Sequence, residues 1–584
     1  MPHTSLNPLE NLQVDALLAR GFQAHRHGNL DTAEACYRMA LEKESGSGQA
    51  LYLLGLARAD RANWSQAESL IHRALRHLPE DASILSNLAA AQLAQDKART
   101  AEETLRHALK LMPGHVECLV RLGIALRKQG RPQDALEPLR EALTKKPDHP
   151  RARDTFANVL EDLTERALAG REITSASTFL SELEKFRPDH VKTLLLKGNF
   201  CLASGELAVA EKYYRQVLRV CPEEPDAYSN LGSVLAAHLD LDGAMTSFNR
   251  ALSIRPNHSE YRFNRSLIYL IRGEFEKGWI DYDQRRLPNG CIAEGEWLLS
   301  TPDSIKGKRV LVFTEQGFGD SLQFARYLPM LKAAGAHVSL VCQPELRALF
   351  ESSFELDGYQ GNCCGAWDVR IPLLSLPRFF ATDFGSIPAG VPYLFPPRKY
   401  IWTSTDMAGV ESLRIGIFWK GRKMHRSRYN RRRCSPQDFC DLANLPGVKC
   451  YSLQKEEGEG VQRCDPPIVD LAPGLGDFAD TAAAIAQLDL IISVDTAVAH
   501  LAGAMGKPVW TLLPYSPDWR WLLGCEDSPW YPTMRLWRQP SPGDWNSIFT
   551  KIKEAVCQLT RKSHILRNVR HTNRGRWHMG GEMS

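Results

Sequence analysis

An α + α/β architecture is what this 584-residue chain predicts: an α-solenoid followed by an α/β region of two Rossmann-like lobes. Two observations carry it. Over the first half, small residues return every 34 positions, as Gly21, Gly55, Ala89 and Gly123, as Ala33, Ala67, Ala101 and Ala135, and as Ala40, Ala74, Ala108 and Ala142. Pro79, Pro113 and Pro147 keep the same beat. Over the second half, short apolar runs alternate with helical patterns, the sign of parallel strands covered on both faces.

Each 34-residue unit reads as a helix–turn–helix. The small residues let the first helix of a unit approach its own partner and the next unit, and Pro ends the unit. Period and pattern are similar to those of tetratricopeptide repeats. The register lapses between about 150 and 190, where Pro147 to Pro188 exceeds one period by seven residues. It resumes with Gly198/Gly232, Ala210/Ala244, Tyr214/Phe248 and Pro222/Pro256. A last unit, Gly273 to Trp279, swaps a small residue for Trp, as an atypical capping repeat does. The expected layout is about eight units over 14–286 with the fifth stretched, and a linker over 287–307. One lobe then covers 308–400, a second 401–560, and a basic, disordered tail 561–584.

In the α/β region, Lys308–Thr314 reads as a buried parallel strand, Glu315–Asp320 as a tight loop, 321–334 as a helix and His337–Cys342 as the next strand. A second series opens at Leu413–Trp419 and continues with strands near 448–453, 488–494 and 508–513 and a closing helix at about 545–560. Open α/β sheets bind ligands beyond the carboxyl ends of their strands, which selects four loops, Glu315–Asp320, Lys420–Arg433, Ser452–Lys455 and Asp495–His500. Asp495 and Thr496 stand where a strand becomes a helix, so backbone N–H groups and the positive helix end suit a pyrophosphate. His500 lies one turn further on the same face and can donate to a phosphate or ribose oxygen. Equally, Asp495 can cap the helix and His500 pack in the core. Asp320, at the end of the first loop, can act as a general base towards an acceptor hydroxyl or simply cap the following helix. Between 420 and 433 lie Lys420, Arg422, Lys423, Arg426, Arg428, Arg431, Arg432 and Arg433 with no acid. That run can clamp a diphosphate, steer an anionic acceptor, or be a solvated loop.

The rest of the composition narrows the function classes. The formal net charge of +4, from 72 basic and 68 acidic residues, does not argue for nucleic acid. Fourteen cysteines carry no CxxC and no metal-ligand spacing, and the pattern fits a reducing cytoplasm. The N-terminus lacks a secretory signal, and no apolar run reaches membrane-spanning length.

Asp495-Thr496-Ala497-Val498-Ala499-His500-Leu501-Ala502-Gly503-Ala504 resembles the nucleotide-sugar motif of the ADP-heptose:lipopolysaccharide heptosyltransferase family, and Gly319-Asp320 its first-loop motif. Glu315–Phe324, Pro517–Trp521, Ser528–Pro532 and Gly543–Trp545 are similar to segments of bacterial proteins that fuse tetratricopeptide repeats to a heptosyltransferase-like (glycosyltransferase family 9-like) GT-B domain. The resemblance implies metal-independent, inverting transfer from a nucleotide-diphosphate sugar, with no cofactor. Together with the repeats and the cysteine usage it sets the expectation of a cytoplasmic glycosyltransferase whose repeats recruit an acceptor protein or peptide. It implies Asp320 as base, with Gly319, Asp495, Thr496, Ala497 and His500 at the donor and Gln454 and Lys455 on a nucleoside-contacting loop. After Trp419 the pattern departs: Gly421 and His425 persist, while Lys420, Arg422 and Lys423 replace most of a Gly/Asn/Pro segment. Two other readings stand beside this one, a non-catalytic scaffold with a degenerate GT-B domain and a saccharide acceptor.

Overall fold

The computed structural model describes residues 13–78, 81–287, 301–398, 412–421, 434–455, 464–465 and 467–576, with side chains as far as Arg561. The chain divides into two compact units, Met1–Ala203 and Ser204–Ser584.

The first unit is helical, running from Val14–Arg26 to Val191–Ser204 in antiparallel pairs. Local chemistry starts its helices: Asn29 accepts from the Thr32 N–H, Asn63 from Gln66, and Asp81 from Ser83 and Ile84. The 34-residue register is a packing requirement. A Cβ added to Gly21 would lie 2.6 Å from the Tyr37 ring, and one added to Gly123 would lie 2.6 Å from Leu139. The alanines at 33, 67, 101 and 135, and those at 40, 74, 108 and 142, are all fully buried. The stretched fifth unit comes from one long helix, Pro150–Ala169, with 20 residues where Val116–Lys128 has 13.

The second unit begins with five further repeat helices, Leu207–Val220, Pro225–Ala237, Leu241–Ile254, Ser259–Ile271 and Phe275–Tyr282. Two parallel sheets follow. The first comprises β1 (Arg309–Phe313), β2 (His337–Val341), β3 (Gly358–Gln360) and β4 (Val369–Pro372), in the order β3-β2-β1-β4. The second comprises β5 (Leu413–Phe418), β6 (Val448–Ser452), β7 (Val469–Asp470), β8 (Leu490–Val494), β9 (Val509–Leu513) and β10 (Met534–Arg538). Its order is β10-β9-β8-β5-β6-β7. The chain is thus a helical tetratricopeptide-type solenoid followed by parallel sheets and helices.

Three sequence expectations change. The helix expected over 321–334 is two helices, Phe318–Phe324 and Leu328–Ala333, separated by a 3₁₀ turn at Ala325–Tyr327 just before Pro329. The closing helix runs Trp545–Arg576, so the expected disordered tail begins as helix; that stretch holds no Pro and a single Gly, Gly575. Cys440 and Cys464 form a disulfide with Cα atoms 5.1 Å apart, a pair 24 residues apart that no local spacing marks.

The capping unit is part of the α/β core. Leu270, Ile271, Phe275, Trp279 and Tyr282 belong to one apolar cluster with Val310, Phe324, Trp519 and Trp530. Trp279 donates its indole N–H to the Thr382 carbonyl at 2.8 Å and meets the Trp519 ring edge-on, centroids 5.4 Å apart. A Trp here fills a space that the small residues of earlier repeats would leave open.

Candidate active site

Strand register brings the selected loops level. Phe418 of β5 pairs with Ser493 of β8, and Ile417 pairs with Ser452 of β6. Lys420, Gln454 and Asp495 therefore leave neighbouring strands at the same end of the sheet. The backbone N–H of Lys420 donates to Gln454 Oε1 at 3.2 Å, and both residues are buried. Gly421 stands against Thr496, where an added Cβ would meet Thr496 Cγ2 at 3.4 Å. Lys455 turns elsewhere: it is exposed, and its ammonium donates to the Gly476 carbonyl. Arg422, Lys423 and His425, with the arginines from 426 to 433, lie outside the described residues.

Thr496 is the N-cap of the helix Ala497–Ala504, with extended backbone and its hydroxyl 3.0 Å from Ser493 Oγ rather than on the helix. The first N–H groups of that helix thus receive no side-chain cap from Thr496, the condition under which a helix start can hold an anion. Asp495 is 6 % exposed and His500 5 %. The His500 ring stacks on Trp521, centroids 5.2 Å apart, and its Nδ1 lies 3.0 Å from the Tyr531 hydroxyl. Burial pushes that tyrosine hydroxyl's pKa well above its ordinary value, so it stays protonated and able to donate.

The first sheet supplies the other half. Asp320 caps the helix Phe318–Phe324 from within its first turn, where Oδ2 accepts the N–H of Gly317, the N-cap residue, at 3.0 Å. The loop then passes directly over the second sheet's helix start. A Cβ on Gly319 would lie 2.9 Å from His500 Cδ2 and 3.6 Å from Ala497 Cα, so a side chain here would force the two apart.

Sequence reasoning gave no role to Arg520, which joins the halves. Its guanidinium pairs with Asp320 Oδ1, donates to Asp518 Oδ1 at 2.8 Å and to Gln323 Oε1 at 2.5 Å. It also lies 4.5 Å from the Trp519 centroid. Burial opposes its charge, but the Asp518 and Asp320 carboxylates outweigh that and hold the guanidinium above its ordinary pKa. The signal available was the motif Asp518-Trp519-Arg520, whose partners lie some 200 residues upstream.

No helix among the described residues is long and apolar enough to cross a membrane. Residues 453–531 match glycosyltransferase family 9 (heptosyltransferase), a span that includes Gln454, Asp495 to His500 and Arg520. Residues 18–82, 80–148 and 195–259 match tetratricopeptide repeats. Protein FlbA of Caulobacter vibrioides is 28% identical over 399 residues, 60% of this chain and 64% of that protein's length. Among solved structures, PilF of Pseudomonas aeruginosa is 20% identical, covering 37% of this chain and 94% of its own at a TM-score of 0.29. A tetratricopeptide repeat protein from Parabacteroides merdae is 18% identical, covering 44% and 98% at a TM-score of 0.30. The chain carries tetratricopeptide repeats in its N-terminal half and a glycosyltransferase family 9 (heptosyltransferase) domain towards its C-terminus.

Proposed function

We propose that this protein is a cytoplasmic GT-B glycosyltransferase that moves a sugar from a nucleotide-diphosphate sugar to a protein or peptide acceptor recruited by its repeats. The observation that carries this reading is the meeting of Gly319-Asp320 with the start of the helix Ala497–Ala504, at the carboxyl ends of two parallel sheets. The diphosphate sits at the helix start, near Thr496 and Ala497, with Gly421 leaving room and Lys420 adding positive charge. Gln454 holds the loop beside it.

The chemistry is a single displacement that inverts the anomeric carbon and uses no metal. Asp320 takes the proton of an acceptor hydroxyl as that oxygen bonds to the anomeric carbon. The bond from that carbon to the diphosphate oxygen breaks, and the diphosphate keeps the electron pair. Helix dipole and basic side chains stabilise the leaving group. Asp320 has two oxygens with about four acceptor sites, so its two present hydrogen bonds leave capacity for an acceptor hydroxyl. The same double engagement is what favours the second reading, a non-catalytic scaffold in which Asp320 only braces the loop.

A thermal-shift screen of nucleotide sugars on the full-length protein tests the first step. A donor present at about 100 times its dissociation constant adds about 2.7 kcal/mol of stability. The donor that stabilises the protein should be turned over, and turnover should fall with Asp320→Asn. Absence of stabilisation by every nucleotide sugar refutes the donor site, and stabilisation without turnover establishes the scaffold.

A further inference from the structure

The last repeat helices wall a cavity. It has a volume of about 190 Å³ and opens between Pro225–Ala237, Ser259–Ile271 and the segment 514–520 that follows β9. Its apolar end is formed by Leu241, Phe263, Leu267 and Ile271, its polar end by Gln316, Asp518 and Arg520. Arg520 is the residue that pairs with Asp320, and Gln316 lies on the Asp320 loop, so the polar end is one side chain away from the proposed base. Pockets that bury a whole small molecule measure roughly 300–1,000 Å³. This one is too small for a nucleotide sugar and suits one or two side chains.

We propose that this cavity is the acceptor subsite, and that the acceptor is an extended peptide. An aliphatic side chain fills the apolar end while a neighbouring serine or threonine hydroxyl reaches Asp320. The assignment rests on the glycosyltransferase reading of Asp320, since only that reading requires a hydroxyl there. Transfer moves the Oγ proton to Asp320 as the Oγ–carbon bond forms, and the diphosphate leaves with its electron pair. A saccharide is disfavoured because its hydroxyls would face Leu241, Phe263, Leu267 and Ile271 without hydrogen-bond partners. Asp320 and Asp518 against Arg520 leave one net negative formal charge at the polar end. Residues flanking the hydroxyl are therefore neutral or basic, not acidic.

The test uses immobilised full-length protein and a library of short peptides, degenerate around a fixed central Ser or Thr. The retained pool should be enriched about fivefold in Leu, Ile, Val or Met at one position beside the hydroxyl, a preference of about 1 kcal/mol. Ala236→Phe, which fills the cavity from the half-buried face of Pro225–Ala237, should abolish that preference and raise the Kd of the best peptide about tenfold. Leu267→Gln, which adds polarity without bulk, should weaken the preference in the same direction. Ala208→Phe, the same change at an exposed position of Leu207–Val220, should keep both affinity and preference. Peptides without an aliphatic preference, a preference that survives Ala236→Phe, or a glycan array bound in place of peptides would overturn the proposal. Binding is read without turnover, so Asp320→Asn should retain the preference. A protein that selects such peptides yet turns over no nucleotide sugar refutes the catalytic reading alone.

Discussion

Removing residues 1–286 should destroy the folded α/β region, whereas removing residues 1–203 should not. From sequence the repeats and the catalytic lobes look separable at the 287–307 linker. The structure puts Leu270, Ile271, Phe275, Trp279 and Tyr282 inside the core that covers β1 and surrounds Trp519 and Trp530. Each such side chain contributes about 1.5–3 kcal/mol by burial, so the five together supply about 7–15 kcal/mol. A whole domain has about 5–15 kcal/mol to lose. The cut also removes Arg285, whose guanidinium bonds the buried Glu315, and an uncompensated buried carboxylate costs about 3–5 kcal/mol more. Chains 204–584 and 287–584 should be compared by thermal melting in circular dichroism at equal concentration. The longer should show one cooperative transition and the shorter none. If 287–584 melts cooperatively within about 2 °C of the longer chain, a difference of only about 1 kcal/mol at this chain length, the shared-core argument is wrong.

Asp320→Asn should lower turnover by roughly two to four orders of magnitude with the donor's dissociation constant unchanged within about twofold; normal turnover would show that Asp320 only braces its loop. His500→Ala should weaken donor binding and also destabilise the protein by about 2–4 kcal/mol, because the ring is buried against Trp521. Calorimetry on the variant checks both effects, and an unchanged melting temperature would contradict the packing. Arg285→Met should make stability fall as pH rises. Burial already lifts the Glu315 carboxyl above its ordinary value of 4.5, with Arg285 the main opposing influence. A raised folded-state pKa stabilises most below the unfolded-state value, and that stability is lost as pH climbs through the folded-state value. Urea midpoints measured upward from about pH 4.5 should therefore decline more steeply in the variant than in the wild type; parallel curves would refute the assignment.

What the sequence made legible was everything that repeats or lies within one turn of the chain. The 34-residue register follows from steric limits at positions such as Gly21 and Gly123, so it is written as composition at fixed spacing. The strands β1, β2, β5, β6, β8 and β9 are apolar runs bounded by turn residues, and the structure places strands there. Shorter strands escaped: β3 has three residues and β7 two, fewer than any periodicity needs. The pairings Asp320–Arg520 and Cys440–Cys464 depend on tertiary approach and leave no spacing to read. His500 is packed in the core, 5 % exposed and stacked on Trp521, while it lies on the helix whose start meets Gly319. A face of a short buried helix can serve binding and packing together.

The same long-range contacts explain how a loop rich in glycine can hold a carboxylate in place. A catalytic group must be fixed to about 0.5 Å, which a Gly-rich turn does not ensure by itself. Asp320 is held at its own oxygens by Arg520 and the Gly317 N–H. Five residues earlier, Glu315 is held by Arg285, which also donates to Ser375 Oγ at 2.8 Å and to Asp283 Oδ1 at 2.9 Å. Arg378 donates to the other oxygen of Asp283 at 3.1 Å. Two carboxyl groups and two guanidinium groups make that cluster formally neutral, which is what lets it be buried. Arg285 follows the capping helix Phe275–Tyr282 by three residues, so the end of the repeat array sets one fixed point of the Asp320 loop. The second fixed point, Arg520, lines the cavity that the repeats wall. On the proposed reading, a guest seated against Leu267 and Ile271 touches the element that holds Asp320, so recognition and chemistry would share one set of side chains.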